Sequence, residues 1–271
     1  MSAGLVLDHA IGQGRLACHV QGQGDDLVLL HGGFGSWTHW ARNLPALAQR
    51  YRTLAFDLPG CGDSPDFAEP LPDEAYYDWV AREILAECAG PIRLVGFSFG
   101  GSVAAAVAPR LGDRLVAISL TAPGSFGRPA PRDVAIRPLL SRPGREVDTW
   151  ENARHNLRQV MFANLETADQ ETVALHLRNI ERGRFPSRRL SWQDRIERDL
   201  ATLPCPLQLI WGLQDRMATP SVHARVERVR HAKPHARFDL IEGAGHWVQY
   251  ERPAEFDAAL LAFVDAPGGA A

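Results

Sequence analysis

The stretch Ile92-Arg-Leu-Val95-Gly96-Phe97-Ser98-Phe99-Gly100-Gly101 decides how this chain is read. Ile92–Val95 is a short apolar run suited to a buried strand. The alanine-rich stretch that closes at Leu111 reads as a helix, Gly100–Leu111, whose small side chains allow close approach to a sheet. Ser98 therefore falls on a tight strand-to-helix turn. Glycine two residues to either side fits such a turn, because its backbone segments nearly touch.

The same alternation continues on both sides. Asp26–Leu30, Arg52–Phe56, Leu115–Leu120, Leu207–Trp211 and Arg237–Ile241 read as strands, and Arg15–Val20 alternates as a further one. Trp40–Gln49, a helix capped by Asp73 with Tyr77, Val80, Ile84 and Cys88 at helical spacing, a helix around Pro220–Val229 and a last helix opened by Pro253 lie between or after them. Short apolar strands alternating with amphipathic helices imply an α/β fold with a mostly parallel sheet covered on both faces.

The alternation stops between about Ala122 and Asp199. That stretch opens with Arg128-Pro-Ala-Pro-Arg132 and carries helical patterns at Asp148–Phe162 and Thr167–Glu181. It reads as a helical insertion: either a lid over the carboxyl ends of the strands, where ligands bind in open sheets, or extra helices on the sheet edge. The expected organisation is a core of residues 1–121 and 200–271, with residues 122–199 as a helical cap. The tail from Ala266 to Ala271 is expected to fray.

Composition narrows the function. The 271 residues are 45% hydrophobic and 23% charged, with a net charge of −3, which suits a globular chain and gives no electrostatic footprint for nucleic acid. Lys233 is the only lysine. Met1–Asp8 lacks the basic start and apolar run of a secretory signal, and no run approaches the ~18 apolar residues of a membrane span. Cys18, Cys61, Cys88 and Cys205 show no metal-type spacing and read as free thiols in a reducing cytosol. No metal is expected. The expected protein is a cytoplasmic monomer or homodimer acting on a small molecule, with neither nucleic acid nor membrane as partner.

A serine hydroxyl is a weak nucleophile at neutral pH and needs a base. His246, in Gly243-Ala-Gly245-His246-Trp247 after the last strand, is the candidate. An imidazole in turn needs a carboxylate to fix its tautomer. Asp215 follows the strand Leu207–Trp211, whereas Thr121-Ala-Pro-Gly-Ser125, after Leu115–Leu120, offers no acid. The developing oxyanion requires two donors. His31-Gly32-Gly33-Phe34-Gly35 follows another strand, so the Gly33 N–H, with Phe34 as alternate, and the Phe99 N–H are assigned. Phe34, Phe97, Phe99 and Trp247 are expected to form an apolar wall near Ser98, with core packing as the other reading of all four and of Phe97 above all. The arginines Arg178, Arg182, Arg184, Arg188 and Arg189 either form a solvated helical face or orient an anionic group.

The chain resembles the α/β-hydrolase superfamily. Leu29-Leu-His31-Gly-Gly33, Asp57-Leu-Pro-Gly60-Cys-Gly62-Asp63-Ser64, the Ser98 elbow, Trp211-Gly-Leu-Gln-Asp215 and Gly245-His246-Trp247 look like its landmarks. The resemblance implies a central eight-stranded sheet, a cap near Ala122–Asp199 and no dissociable cofactor. Ser98 stands where dehalogenases and epoxide hydrolases of the superfamily use aspartate. Gly245-His246-Trp247-Val-Gln249-Tyr-Glu251 is also similar to the carbon–carbon hydrolases of aromatic ring-cleavage pathways. That likeness implies roles in substrate binding for Trp247 and for Arg188 or Arg189. Three readings stay open: a serine hydrolase of a small apolar ester, thioester or lactone; a carbon–carbon hydrolase of a vinylogous β-diketone; and a non-catalytic binding protein on the same fold.

Overall fold

A computed structural model describes residues 14–66, 71–130, 133–141 and 146–266 of the protein. In chain order the elements begin with β1 (Cys18–Gln21), β2 (Asp26–Leu30), α1 (Leu44–Leu47), β3 (Arg52–Phe56), α2 (Asp73–Glu87), β4 (Ile92–Phe97), α3 (Phe99–Leu111) and β5 (Leu115–Thr121). Four helices follow: α4 (Thr149–Val160), α5 (Gln170–Glu181), α6 (Arg188–Ser191) and α7 (Ile196–Ala201). The chain then returns to the sheet with β6 (Leu207–Gly212), α8 (Val222–Ala232), β7 (Arg237–Ile241), α9 (Val248–Glu251) and α10 (Pro253–Val264).

The strands form one sheet in the order β1-β3-β2-β4-β5-β6-β7, parallel throughout except for β1 against β3. Every residue of β2 and β6 is buried, as expected of strands covered on both faces. Register places the loops. Leu30 pairs with Gly96 and Gly96 with Leu120, so the His31 loop, the Ser98 turn and the Thr121 loop leave the sheet side by side. Gly212 pairs with Ile241, which brings the Asp215 loop beside the His246 loop. Helix α3 packs against the sheet through buried Gly100, Gly101, Val103, Ala104 and Val107. A Cβ at Gly100 would collide with the carbonyls of Leu30 and His31.

The described residues bear on several expectations. The resemblance implied eight strands, and the described residues form seven. Residues 1–13 and 267–271, which include the Met1–Asp8 segment and nearly all of the expected frayed tail, lie outside the described residues, as do residues 131–132 of the proline and arginine-rich stretch. The expected helix Trp40–Gln49 is a single-turn 3₁₀ segment, Trp37–Trp40, followed by α1. Pro45, in the first turn of α1, cannot donate back into a continuous helix. Asp73 does not cap α2: Pro72 holds the cap position, and Asp73 is the first helical residue.

The segment between β5 and β6 contains no strand among the described residues, only an isolated bridge between Phe126 and Asp194. Asp148 and Asp169 cap α4 and α5 with their carboxylates. The segment is fastened to loops at the carboxyl ends of the strands. Asn179 bonds the hydroxyls of Ser36 and Thr38 beyond β2. Arg184 N–H and Phe185 N–H donate to the Gly60 carbonyl beyond β3, while within the segment Ser125 N–H donates to the Ser191 carbonyl. The arginines reinforce this. Arg182 pairs with Asp63, Arg184 with Asp66 at 3.4 Å, and Arg189 with Asp73 at 2.9 Å. These three serve as ties to the core and not as a bare solvated face.

Candidate active site

Ser98 occupies the turn between β4 and α3 with φ +51° and ψ −110°, a conformation uncommon for a side-chain-bearing residue. Such strain costs of order 1–3 kcal/mol and persists only where the surroundings enforce it. Here Ser98 N–H donates to Thr121 at 2.9 Å, and the Ser98 carbonyl accepts from Ser102 and Gly124. The turn closes so tightly that a Cβ at Gly96 would strike the Gly100 carbonyl. Both glycines of the pattern are thus required by backbone contact.

His246 is buried, and its Nε2 lies 2.9 Å from Ser98 Oγ, while Nδ1 lies 2.8 Å from Asp215 Oδ2. Asp215 also accepts from the Trp211 indole at 2.9 Å and from Met217 N–H at 2.6 Å. Burial pushes the Asp215 carboxyl up, but His246, the indole and the amide outweigh it and hold it below its ordinary value. An ionised carboxylate only accepts, so His246 carries its proton on Nδ1 and leaves Nε2 to accept from the Ser98 hydroxyl. That is the tautomer able to receive a proton from serine. Gly212 allows this approach, since a Cβ there would strike the carbonyls of Gly245 and Ala244.

The amides assigned to an oxyanion are free to receive one. Phe99 is the first residue of α3, where an N–H has no intrahelical acceptor. Among the described residues Gly33 and Phe34 N–H have no acceptor either, and Phe34 adopts φ +52°. Two buried histidines brace this loop. His39 Nδ1 accepts from Gly32 N–H at 3.2 Å, and His31 Nε2 accepts from Leu58 N–H at 2.9 Å while its Nδ1 faces the Gly32 carbonyl at 2.7 Å. Burial lowers both imidazoles' pKa, His39 most, with its neighbouring histidines adding to the effect, so both are neutral acceptors.

The expected apolar wall divides. Phe34 is 43% exposed and available to a ligand. Phe97 is 1% and Trp247 0% exposed, so neither presents surface to a bound molecule. Phe97 packs on His39 and His246, and Trp247 stacks on Tyr250 and donates its indole N–H to the His39 carbonyl at 3.2 Å. Phe99, also buried, packs its ring against Phe185 and Tyr76, so only its backbone amide is offered to the site. Arg188 is exposed with its guanidinium over the Trp192 ring. The structure therefore gathers Ser98, His246, Asp215, Gly33 and Phe99, but sets Phe97 and Trp247 in the core and Arg188 at the surface.

Two contributors escaped the sequence reading. His39 falls just ahead of the expected helix Trp40–Gln49, and nothing local marks it. Glu251 sits in the short helix after His246, and its carboxylate accepts from Gly245 N–H at 2.7 Å, Asn164 N–H at 2.6 Å and Ala163 N–H at 3.2 Å. Backbone amides so remote in sequence leave no signature to read.

A serine on a strand-to-helix turn, bonded to a histidine–carboxylate pair at the carboxyl ends of a mostly parallel sheet, defines the α/β-hydrolase class. The model of the alpha/beta hydrolase family matches residues 27–259, and this chain belongs to that family. It is 28% identical to the dihydrolipoyllysine-residue acetyltransferase component of the acetoin cleaving system of Cupriavidus necator, over 88% of this chain. The chain spans only 63% of that relative's length. It is 30% identical to the pimeloyl-acyl-carrier-protein methyl ester esterase of Neisseria meningitidis, over 88% of this chain and 93% of the relative. A solved meta-cleavage product hydrolase from Pseudomonas fluorescens IP01 shares the fold with a TM-score of 0.74 at 24% identity, covering 92% of this chain and 94% of that one.

Proposed function

We propose that this chain is a serine hydrolase of a small, largely apolar ester, thioester or lactone. The observation that carries the reading is the unbroken line from Ser98 Oγ through His246 to Asp215, with contacts of 2.9 and 2.8 Å. His246 takes the Ser98 proton as Oγ attacks the carbonyl carbon. The oxyanion forms against the Gly33 and Phe99 amides, each such donor being worth roughly 10²–10³ in rate. The tetrahedral intermediate collapses, the C–O or C–S bond breaks, and the leaving alcohol or thiol takes the proton from His246. Water, deprotonated by His246, then attacks the acyl-enzyme and releases the acid and Ser98.

The methyl ester esterase relative favours ester chemistry. Residues 122–199 act as a cap over the site, a reading supported by their ties to the loops beyond β2 and β3. The carbon–carbon hydrolase reading looked to Trp247 and Arg188 or Arg189 to hold an acidic substrate. Buried Trp247, exposed Arg188 and an Arg189 held by Asp73 and the Leu71 carbonyl favour the ester reading over it. No described helix is long and apolar enough to cross a membrane. A reducing, cytoplasmic setting is supported by four free cysteines, whose thiols burial pushes up to about 11 or 12. Parallel turnover assays with nitrophenyl esters and with ring-fission dienols test the assignment. Ester turnover lost in Ser98→Ala is the expected result; dienol turnover without ester turnover replaces this reading with the carbon–carbon one. Neither activity, together with no covalent labelling of Ser98, replaces it with the binding-protein reading.

A further inference from the structure

Ser187 lies in the segment between β5 and β6, just ahead of α6. It is only 6% exposed. It holds the cap position of α6, yet its backbone is helical (φ −51°, ψ −25°) and its side chain makes no capping bond. Its amide is committed to the Phe185 carbonyl, and its own carbonyl accepts from Leu190 and Ser191. Among the described residues its hydroxyl has no hydrogen-bond partner.

Gly33 fixes where that hydroxyl stands. A Cβ built on Gly33 would lie 2.6 Å from Ser187 Oγ, 3.4 Å from Ser187 Cβ and 3.9 Å from Phe99 Cβ. The free hydroxyl is thus set against Gly33, whose amide is assigned to the oxyanion and which also neighbours Phe99, and the missing side chain of Gly33 is what makes room for it. A serine O–H can rotate to donate toward an acceptor arriving there, and a donor to an oxygen that gains negative charge binds it more tightly as the charge develops.

We propose that Ser187 contacts the substrate, donating its hydroxyl proton in a hydrogen bond to the carbonyl oxygen as a third donor beside the Gly33 and Phe99 amides. The inference rests on the Ser98 acyl-hydrolase reading. It means that the segment between β5 and β6 supplies a group to the reacting centre.

The test uses the full chain and a fluorophosphonate, whose phosphoryl oxygen takes the place of the substrate carbonyl oxygen. Wild type and Ser187→Ala are compared for the rate of labelling at Ser98, for inhibition by phenylboronic acid and for melting temperature. The alanine keeps the Cβ and removes only the oxygen. The expected result is labelling slowed about tenfold and boronic acid inhibition weakened by a similar factor, with the melting temperature unchanged or raised. Labelling within twofold of wild type overturns the inference and leaves Ser98 as nucleophile intact. Slower labelling with a lowered melting temperature and unchanged boronic acid inhibition assigns Ser187 a structural role and also overturns it. A wild-type chain that takes no label at Ser98 overturns the Ser98 reading itself, and this inference with it.

Discussion

The backbone amide of Trp247 donates to the carbonyl of Met161 at 3.0 Å, so the residue after His246 is held by the turn that follows α4. Gly245, on the other side of His246, lies against the same turn: a Cβ there would come within 2.6 Å of the Met161 carbonyl and 2.9 Å of Ala163 N. Glu251 completes the joint with three amides drawn from both sides of it. The position of the base is therefore set partly by the sheet and partly by the segment between β5 and β6.

Removing the carboxylate at this joint should loosen His246 without touching it. Glu251→Ala leaves three amides seeking acceptors and is expected to cost about 2 kcal/mol of stability and to lower kcat/KM roughly tenfold, in line with the sensitivity of catalysis to small misplacements. Denaturant midpoints and ester kinetics measured together check this. Wild-type kinetics in the variant would show that the joint does not govern the base.

Backbone proximity at Gly212 should be equally unforgiving. Gly212→Ala drives a methyl into the Gly245 and Ala244 carbonyls, displaces the histidine loop and is expected to lower activity by about 10² or more, since a shift near 1 Å costs that much. Gly90→Ala is the control, because a Cβ at Gly90 meets nothing within 4 Å. Equal behaviour of the two variants would remove the steric argument.

The parts of this site that were legible in the sequence are those encoded locally. The strands are continuous apolar runs, and Ser98, Asp215 and His246 each stand just past the carboxyl end of one, so pattern and position together pick them out. Gly96 and Gly100 were legible because a tight turn demands glycine at those places. What stayed hidden depends on contacts between distant segments. Ser187 meaning something to Gly33, Glu251 bonding Asn164, and Arg189 answering to Asp73 all require the folded chain. Trp247 misled for the same reason: an aromatic residue beside a candidate base reads as a substrate wall until its burial against Tyr250 and Phe162 is seen.

Asp215 should matter through its charge. Asp215→Asn keeps the size but can present an amide N–H to His246, which then favours the tautomer with its proton on Nε2, the wrong nitrogen for accepting from Ser98. A fall in kcat of about 10³–10⁴ is expected, read from ester kinetics at saturating substrate. A loss smaller than tenfold would contradict the role given to the carboxylate.

Asp257 predicts a pH dependence of stability. Burial pushes its carboxyl up to about 7 from 3.8, the Asn43 amide offsetting only part of this at 2.8 Å. Between those values the folded chain holds a proton that the unfolded chain has released, so stability falls as pH rises through that window and levels off above it. Asp257→Asn mimics the protonated form. Its melting temperature should exceed wild type by several degrees at pH 8 and by less at pH 5. An equal difference at both values would rule the carboxyl out as the cause.

The central claim is that Ser98 forms an acyl-enzyme with His246 as its base. Mixing the full chain with 4-nitrophenyl acetate, quenching in acid and sequencing the acylated peptide by mass spectrometry tests it most directly. The account predicts acetyl on the peptide containing Ser98, and none in Ser98→Ala or His246→Ala. Sustained ester turnover by Ser98→Ala, or acetyl on a different residue of the wild type, would contradict it.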